Sequence, residues 1–376
     1  MSAAGAPTLA GTEDHPHARM VLGSALASGS PSHAYLFHGP PGTGKRTAAR
    51  ALAAELLAGG EDDEDAARTR VLHGTHPDLT WVRPTGAHVM RVSDVEEPVV
   101  AAAGRTPFES RRRVFVLERV DTMNDEVANR LLKTLEEPPS FVHLILLTDQ
   151  LGRVLETVVS RCQLVRFDPL PAERIASMLQ AEGVEPGRAG ACGRLALGNA
   201  SRARFLASEE GEALRDDVER LVLDALGADR SLEPWAGLLE RAEAARAAAQ
   251  ADVNERRRQR LEYEPPGRER NALEREFEEM ARRDGRRART EVLALGLELA
   301  AIAFRDLLCM ASSADGAVLG RDRIAALAPA AEGRDPVRLR EAAGRCEDVR
   351  SALELNVMEE LALSALTFRL RELVGG

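Results

Sequence analysis

Aromatic residues are scarce in this chain, at 3% of 376 positions, while hydrophobic residues make up 44% and charged residues 29%. With so few rings and so much Ala, Leu, Arg and Glu, the composition favours helix over sheet, because these side chains lose little freedom in a helix. Positive charge is not in excess either. The 50 Lys and Arg face 60 Asp and Glu, a formal net charge of −10. That excludes a chain that coats nucleic acid by itself, since non-specific affinity comes from neutralising phosphates, although local basic patches remain open. Only four cysteines occur, Cys162, Cys192, Cys309 and Cys346, with no CxxC pair. Neither a zinc knuckle nor a disulfide framework is indicated, and a reducing compartment fits best. No stretch is long and apolar enough to cross a bilayer, and the start has no apolar core behind a basic residue, so a soluble cytoplasmic protein is expected. The apolar content excludes a wholly disordered chain, and the length implies two or three domains.

Small polar residues open the chain, and residues 1–19 read as a loose tail with order beginning near Met20. From residue 20 to 170, short apolar runs alternate with helical patterns: Ala34 to His38, Leu79 to Val82, Val114 to Glu118, Val142 to Thr148 and Gln163 to Phe167. Such alternation predicts a parallel sheet with helices on both faces. The charged stretch Glu61 to Arg70 lacks an apolar period and reads as an exposed loop. Asn124 is placed to cap a helix whose apolar face is Val127, Leu131, Leu132 and Leu135 and which Pro138 and Pro139 stop. Residues 171–210 read as a small helical lid, and 211–376 as an all-helical domain with an Arg/Glu-rich insertion over about 242–290. Pro265 and Pro266 interrupt that insertion, and pairs such as Glu278 with Arg282 sit four apart as helix neighbours. A solvated helical arm is expected there rather than a DNA-binding surface.

One motif carries most of the chemistry. His38 is followed by Gly39, Pro40, Pro41, Gly42, Thr43, Gly44 and Lys45, after an apolar strand and before the helical run Thr47 to Ala58. This is GxxxxGK in its structural context: glycines let backbone N–H groups converge on a phosphate, and Lys45 reaches the β and γ phosphates. Arg46 then stands where a Ser or Thr hydroxyl holds Mg²⁺, and Thr47 comes one place late. Without that ligand the metal is poorly held, so nucleotide binding is expected to be weak or absent and hydrolysis to fail. Glu118 ends a later apolar run, and Arg119 follows where a carboxylate would orient the attacking water. A guanidinium cannot act as a base at neutral pH. Arg161, in Ser160, Arg161, Cys162, projects from a corner between a helix and a strand. A guanidinium at a subunit edge can reach a neighbour's γ phosphate as an arginine finger. Cys162 has no His or Asp partner and reads as a small buried hydrophobe.

Taken together, HAYLFHGPPGTGK, HPDLTWV, NRLLKTLEEPP and SRCQLVRF resemble the clamp-loader branch of the AAA+ ATPases, over about Ser32 to Leu206. LLKTLEEPP followed by SRC is specific to that branch, whereas a phosphate loop alone is not. The resemblance implies that Gly39 to Lys45 form the phosphate loop, Glu118 and Asp121 the second acidic motif, Thr148 a sensor after the fourth strand, Arg161 the finger and Arg202 a lid arginine. It implies an α/β P-loop AAA+ domain, a helical lid and an all-α collar that joins five subunits in a ring. The partners it implies are delta and gamma or tau clamp-loader subunits, with the sliding clamp and primer-template DNA met through the assembled complex, and no membrane. Many relatives carry four cysteines between the phosphate-loop helix and the HPDL segment; none stand here, so no zinc is expected. Arg46 and Arg119 resemble the non-motor subunits, because both remove catalytic parts while Arg161 is kept. The alternative is a motor subunit of the gamma or tau kind, with Thr47 on the metal and Glu118 as base. A small-molecule P-loop kinase would need acceptor-binding residues that are not evident.

Overall fold

A computed structural model describes residues 9–59, 63–85, 89–228, 231–262, 265–353 and 357–375. The chain divides into two units, Met1–Pro171 with Leu197–Ser201, and Ala172–Ala196 with Arg202–Gly376. In the first, α1 (Pro16–Ala27), β1 (Ala34–His38), α2 (Lys45–Ala58), α3 (Glu64–His73), β2 (Leu79–Val82), β3 (Arg113–Leu117), α4 (Asp125–Glu136), β4 (Val142–Thr148), α5 (Glu156–Val159) and β5 (Gln163–Arg166) follow in order. The five strands form one parallel sheet in the order β2-β3-β4-β1-β5. Side chains alternate across a strand, so Tyr35 and Phe37 enter one core with α1 and α2 while Leu36 enters the other with α4. Every residue of β4 is buried, as a central strand covered on both faces requires. Asn124 caps α4 by accepting from the Val127 amide at 3.0 Å.

Two sequence expectations are corrected here. Residues 1–8 lie outside the described residues, but order does not wait for Met20: Leu9 and Thr12 are buried, and α1 starts at Pro16, whose fixed φ suits a first helical position. Of the stretch Glu61 to Arg70, residues 61 and 62 lie outside the described residues, and Glu64 onward is helix α3 rather than loop. Its stability is local. Asp63 accepts from the Ala66 amide at 3.0 Å, Glu64 and Asp65 sit at the positive end, Arg70 and His73 at the negative end, and Gly74 closes the helix at φ 74°. A period search misses such a helix because Ala67 and Val71 alone are buried.

Asp78 and His143 show how polar groups enter this core. The Asp78 carboxylate is wholly buried and accepts from the amides of Phe108, Glu109 and Ser110 at 2.6, 3.0 and 3.0 Å, tying the approach to β3 onto β2. On β4, His143 donates from Nδ1 to the Ser32 carbonyl at 2.9 Å and stacks on His33. Burial pushes its imidazole down to about 4.

The second unit is helical: α6 (Ala172–Ala181), α7 (Pro186–Leu195), α8 (Ala200–Ala207, whose first two residues cluster with the first unit), α9 (Glu209–Ala225), α10 (Ala236–Leu261), α11 (Arg268–Ala311), α12 (Ile324–Ala331), α13 (Pro336–Ala352) and α14 (Glu359–Val374). Leu214, Leu221, Leu297, Phe304, Leu339 and Leu366, from α9, α11, α13 and α14, are buried to 1% exposure or less. Asp224 is buried with them and takes both Arg371 nitrogens, at 2.8 and 2.7 Å. The Arg/Glu-rich region is an antiparallel hairpin of α10 and α11: Leu238 packs near Gly296, Gln250 near Gly285, and Arg257 pairs with Glu278 at 3.9 Å. Glu278 therefore bonds across the hairpin, while Arg282 turns its Nε to the Glu278 carbonyl.

Replacing Asp78 with Ala leaves three buried amides without an acceptor, and urea unfolding is expected to show a loss on the order of 3 kcal/mol. For His143, the folded value of about 4 lies below the unfolded 6.5, so the unfolded chain binds the extra proton and stability falls as pH drops through that window. Between pH 7 and 5 the wild type should lose about 2 kcal/mol more than His143→Gln.

Candidate functional site

The sheet register builds the site. His38 of β1 pairs with Thr148 of β4, and Leu117 of β3 lies two residues short of that line against Leu146, so the carboxyl ends of three strands open on one edge. In open parallel sheets this is the edge where ligands bind. The loop Gly39, Pro40, Pro41, Gly42, Thr43, Gly44 leaves β1 there and turns into α2 at Lys45. Gly42, at φ 73°, faces Asn199 so closely that a Cβ would stand 1.7 Å from its Oδ1.

Lys45 is almost buried. Its ammonium donates to the carbonyls of Gly39 and Pro40 at 2.5 and 2.6 Å and meets Asp149 at 2.7 Å. Burial pushes its pKa down, against the pull of Asp149. Thr43 accompanies it, donating to the Pro40 carbonyl at 2.9 Å.

Glu118, just beyond β3, is 2% exposed and is gripped from three sides. Trp81 Nε1 donates to Oε1 at 2.6 Å, Arg83 Nε to the same oxygen at 3.2 Å, and Arg46 Nη2 to Oε2. Two guanidiniums thus neutralise the carboxylate that an active P-loop ATPase would turn toward metal or water. Arg119 follows in the left-handed region at φ 55°, a conformation that costs a non-glycine residue on the order of 1 kcal/mol. Asp121 accepts from the Thr148 hydroxyl at 2.7 Å.

These residues do not fit a magnesium ion. Glu118 is spent on Arg46, Arg83 and Trp81, Asp121 on Thr148 and Asp149 on Lys45, while Thr47 is exposed with the Gly11 backbone packed beside its Cβ. A Cβ on Gly11 would lie 2.9 Å from Thr47 Cβ and 2.8 Å from the Ala48 amide nitrogen. The loop and Lys45 do fit a phosphate. Among the described residues no cluster of His, Cys, Asp and Glu is arranged to hold a metal ion.

The remaining candidates lie elsewhere. Arg161, past the end of α5, donates to the Thr157 carbonyl at 2.8 Å and forms an ion pair with Glu136 of α4. Arg202 lies in the second unit and bonds Glu298 at 2.8 Å. Cys162 is half-buried, and burial pushes its thiol up to about 12, which rules out a thiolate nucleophile at neutral pH. Sequence reasoning missed Trp81, Arg83, Asp149, Asn199 and Gly11. Asp149 had a signal, since it follows the Thr148 sensor directly at the end of a buried strand; Asn199 had none, because its approach to Gly42 depends on the tertiary fold.

A GxxxxGK loop at the carboxyl edge of a five-stranded parallel sheet defines a P-loop domain. Residues 14–171 match the family described as DNA polymerase III, delta subunit. The chain is similar to DNA polymerase III subunit delta′ of Bacillus subtilis, 35% identical over 178 residues that cover 46% of this chain and 54% of the relative. It is also similar to subunit delta′ of Pseudomonas aeruginosa, 40% identical over 146 residues that cover 37% and 44%. A DNA polymerase III gamma-subunit-related protein of Thermotoga maritima aligns with it at a TM-score of 0.47 and 16% identity, covering 94% of this chain and 99% of that one. The chain spans about half the length of the curated relatives it matches. Over that part it resembles the δ′ subunits of DNA polymerase III.

Replacing Glu118 with Ala removes the acceptor of Trp81 and should lower unfolding stability by about 1–2 kcal/mol. Glu118→Gln, whose amide oxygen still accepts from the indole, should lose less in the same denaturant titration.

Proposed function

We propose that this chain is the δ′ subunit of a bacterial clamp loader, an ATPase-deficient scaffold that joins delta and gamma or tau subunits in a five-membered ring. Assembled, the ring loads the sliding clamp onto primed DNA in the cytoplasm. In this reading the AAA+ domain runs to residue 170 and includes α1, residues 171–210 are the lid, and 211–376 are the collar that carries the arm at about 242–290. Gly39 to Thr47 form the nucleotide loop, Glu118 and Asp121 the acidic motif, Thr148 and Arg202 the sensors, and Arg161 the finger offered to a neighbouring motor subunit. The likeness of residues 14–171 to δ′ supports the assignment.

The observation that carries the loss of hydrolysis is the hold of Arg46, Arg83 and Trp81 on Glu118. A base must present a free lone pair to water, and this carboxylate has its charge cancelled and its better directions filled. Arg119 adds a second cation where a base would stand. The motor alternative needs Glu118 as base as well as the Thr47 hydroxyl on a metal, and the hold on Glu118 disfavours it.

The purified chain should show no DNA-stimulated ATP turnover; a rate typical of a motor subunit would overturn the scaffold reading. Arg161→Ala should leave assembly with delta and gamma intact and slow hydrolysis at the adjacent motor site by about 10³, seen as reduced turnover of the whole loader. Unchanged turnover would remove the finger from the account.

A further inference from the structure

We propose that the phosphate loop takes a nucleoside polyphosphate free of divalent metal, with the Arg46 guanidinium as the fixed counter-cation. This rests on the reading of Gly39 to Thr47 as a nucleotide site and goes beyond it to the ionic form of the ligand.

The loop retains what holds phosphate. Of the 50 Lys and Arg residues in the chain, Lys45 and Lys133 alone are lysines. In a chain that uses arginine almost throughout for positive charge, a compact ammonium stands in the loop, against the Gly39 and Pro40 carbonyls. This ammonium meets Asp149 at 2.7 Å, and that carboxylate is 42% exposed, so an incoming phosphate would take its place on Lys45.

The metal position has been rebuilt around a different cation. Arg46 begins the first turn of α2 beside Lys45, where the metal-binding hydroxyl would be. Among the described residues its hydrogen-bond partner is Glu118, engaged through Nη2. A guanidinium has five N–H donors, and this side chain is 58% exposed, so donors remain for phosphate oxygens. Glu118 fixes the head of Arg46 in advance, which reduces the rotamer freedom that a long side chain surrenders on binding. A divalent ion would meet Lys45, Arg46 and Arg83 and would have to displace a guanidinium from a carboxylate that is 2% exposed. The uncomplexed nucleotide carries more negative charge than its magnesium complex, and the one positive charge left after Glu118 and Asp149 are set against Lys45, Arg46 and Arg83 favours it.

The test is a fluorescence titration of the full chain with N-methylanthraniloyl-ATP, once in magnesium chloride and once in excess EDTA. The wild type should bind about tenfold more weakly in magnesium, which sequesters the uncomplexed nucleotide, than in EDTA, and Lys45→Met should lose binding in both. Arg46→Ser should bind about tenfold more weakly than the wild type in EDTA and recover in magnesium, because the new hydroxyl suits the metal. Wild-type binding as tight in magnesium as in EDTA, or tighter, would overturn the proposal while leaving the loop a nucleotide site. No binding in either buffer would overturn both, and Lys45→Met binding like the wild type would place the probe elsewhere and overturn the proposal.

Discussion

The chemistry of the first unit depends on one buried carboxylate. Glu118 sits at the end of β3, dehydrated, and draws Arg46, Arg83 and Trp81 onto itself. An isolated buried charge is expensive, so the position demands partners, and the choice of partners sets the function. Had the groups nearby been a hydroxyl and water, the same acid would have served a metal. With two guanidiniums it becomes a strut between the first turn of α2 and the ends of strands β2 and β3. The nucleotide edge and the sheet are thereby joined by charge as well as by backbone.

That strut belongs to a wider habit of satisfying buried charge locally. Asp78 holds three amides, Asp224 takes both arms of Arg371, and Asp306 accepts from the amides of Leu319 and Gly320 at 3.0 and 2.8 Å. Asp78 and Asp306 each organise a segment without a regular hydrogen-bond ladder of its own, while Asp224 ties α9 to α14. With few aromatics to fill irregular gaps, the chain fixes its loops by charge-assisted hydrogen bonds, which are shorter and stronger than neutral ones.

Much of the fold could be read in advance because its signals are local. Apolar runs announced all five strands to within a residue: β3 starts at Arg113 rather than Val114, and Glu118 and Phe167 lie just past the ends of β3 and β5. Asn124 and the proline pair bounded α4 for stereochemical reasons that need no tertiary context. Helix α3 escaped because capping and dipole complementarity, not an apolar stripe, hold it, and α1 escaped because a polar, small-residue segment conceals Leu9, Thr12 and Ala18 as buried positions. The phosphate loop and the misplaced arginines were visible as sequence. The grip of Trp81 and Arg83 on Glu118 was not, since it joins residues 35 or more positions apart across neighbouring strand ends.

The α10 and α11 hairpin has a mechanical consequence. At 44 residues, α11 is about 66 Å long, and for much of that length it is braced by a partner running the other way. Its base packs into the apolar interior of the second unit through Leu293, Leu297 and Phe304, while its outer half is clothed in arginine and glutamate. A rod so anchored acts as a lever: a tilt of about 5° at the root sweeps the tip through several ångströms, by its length alone.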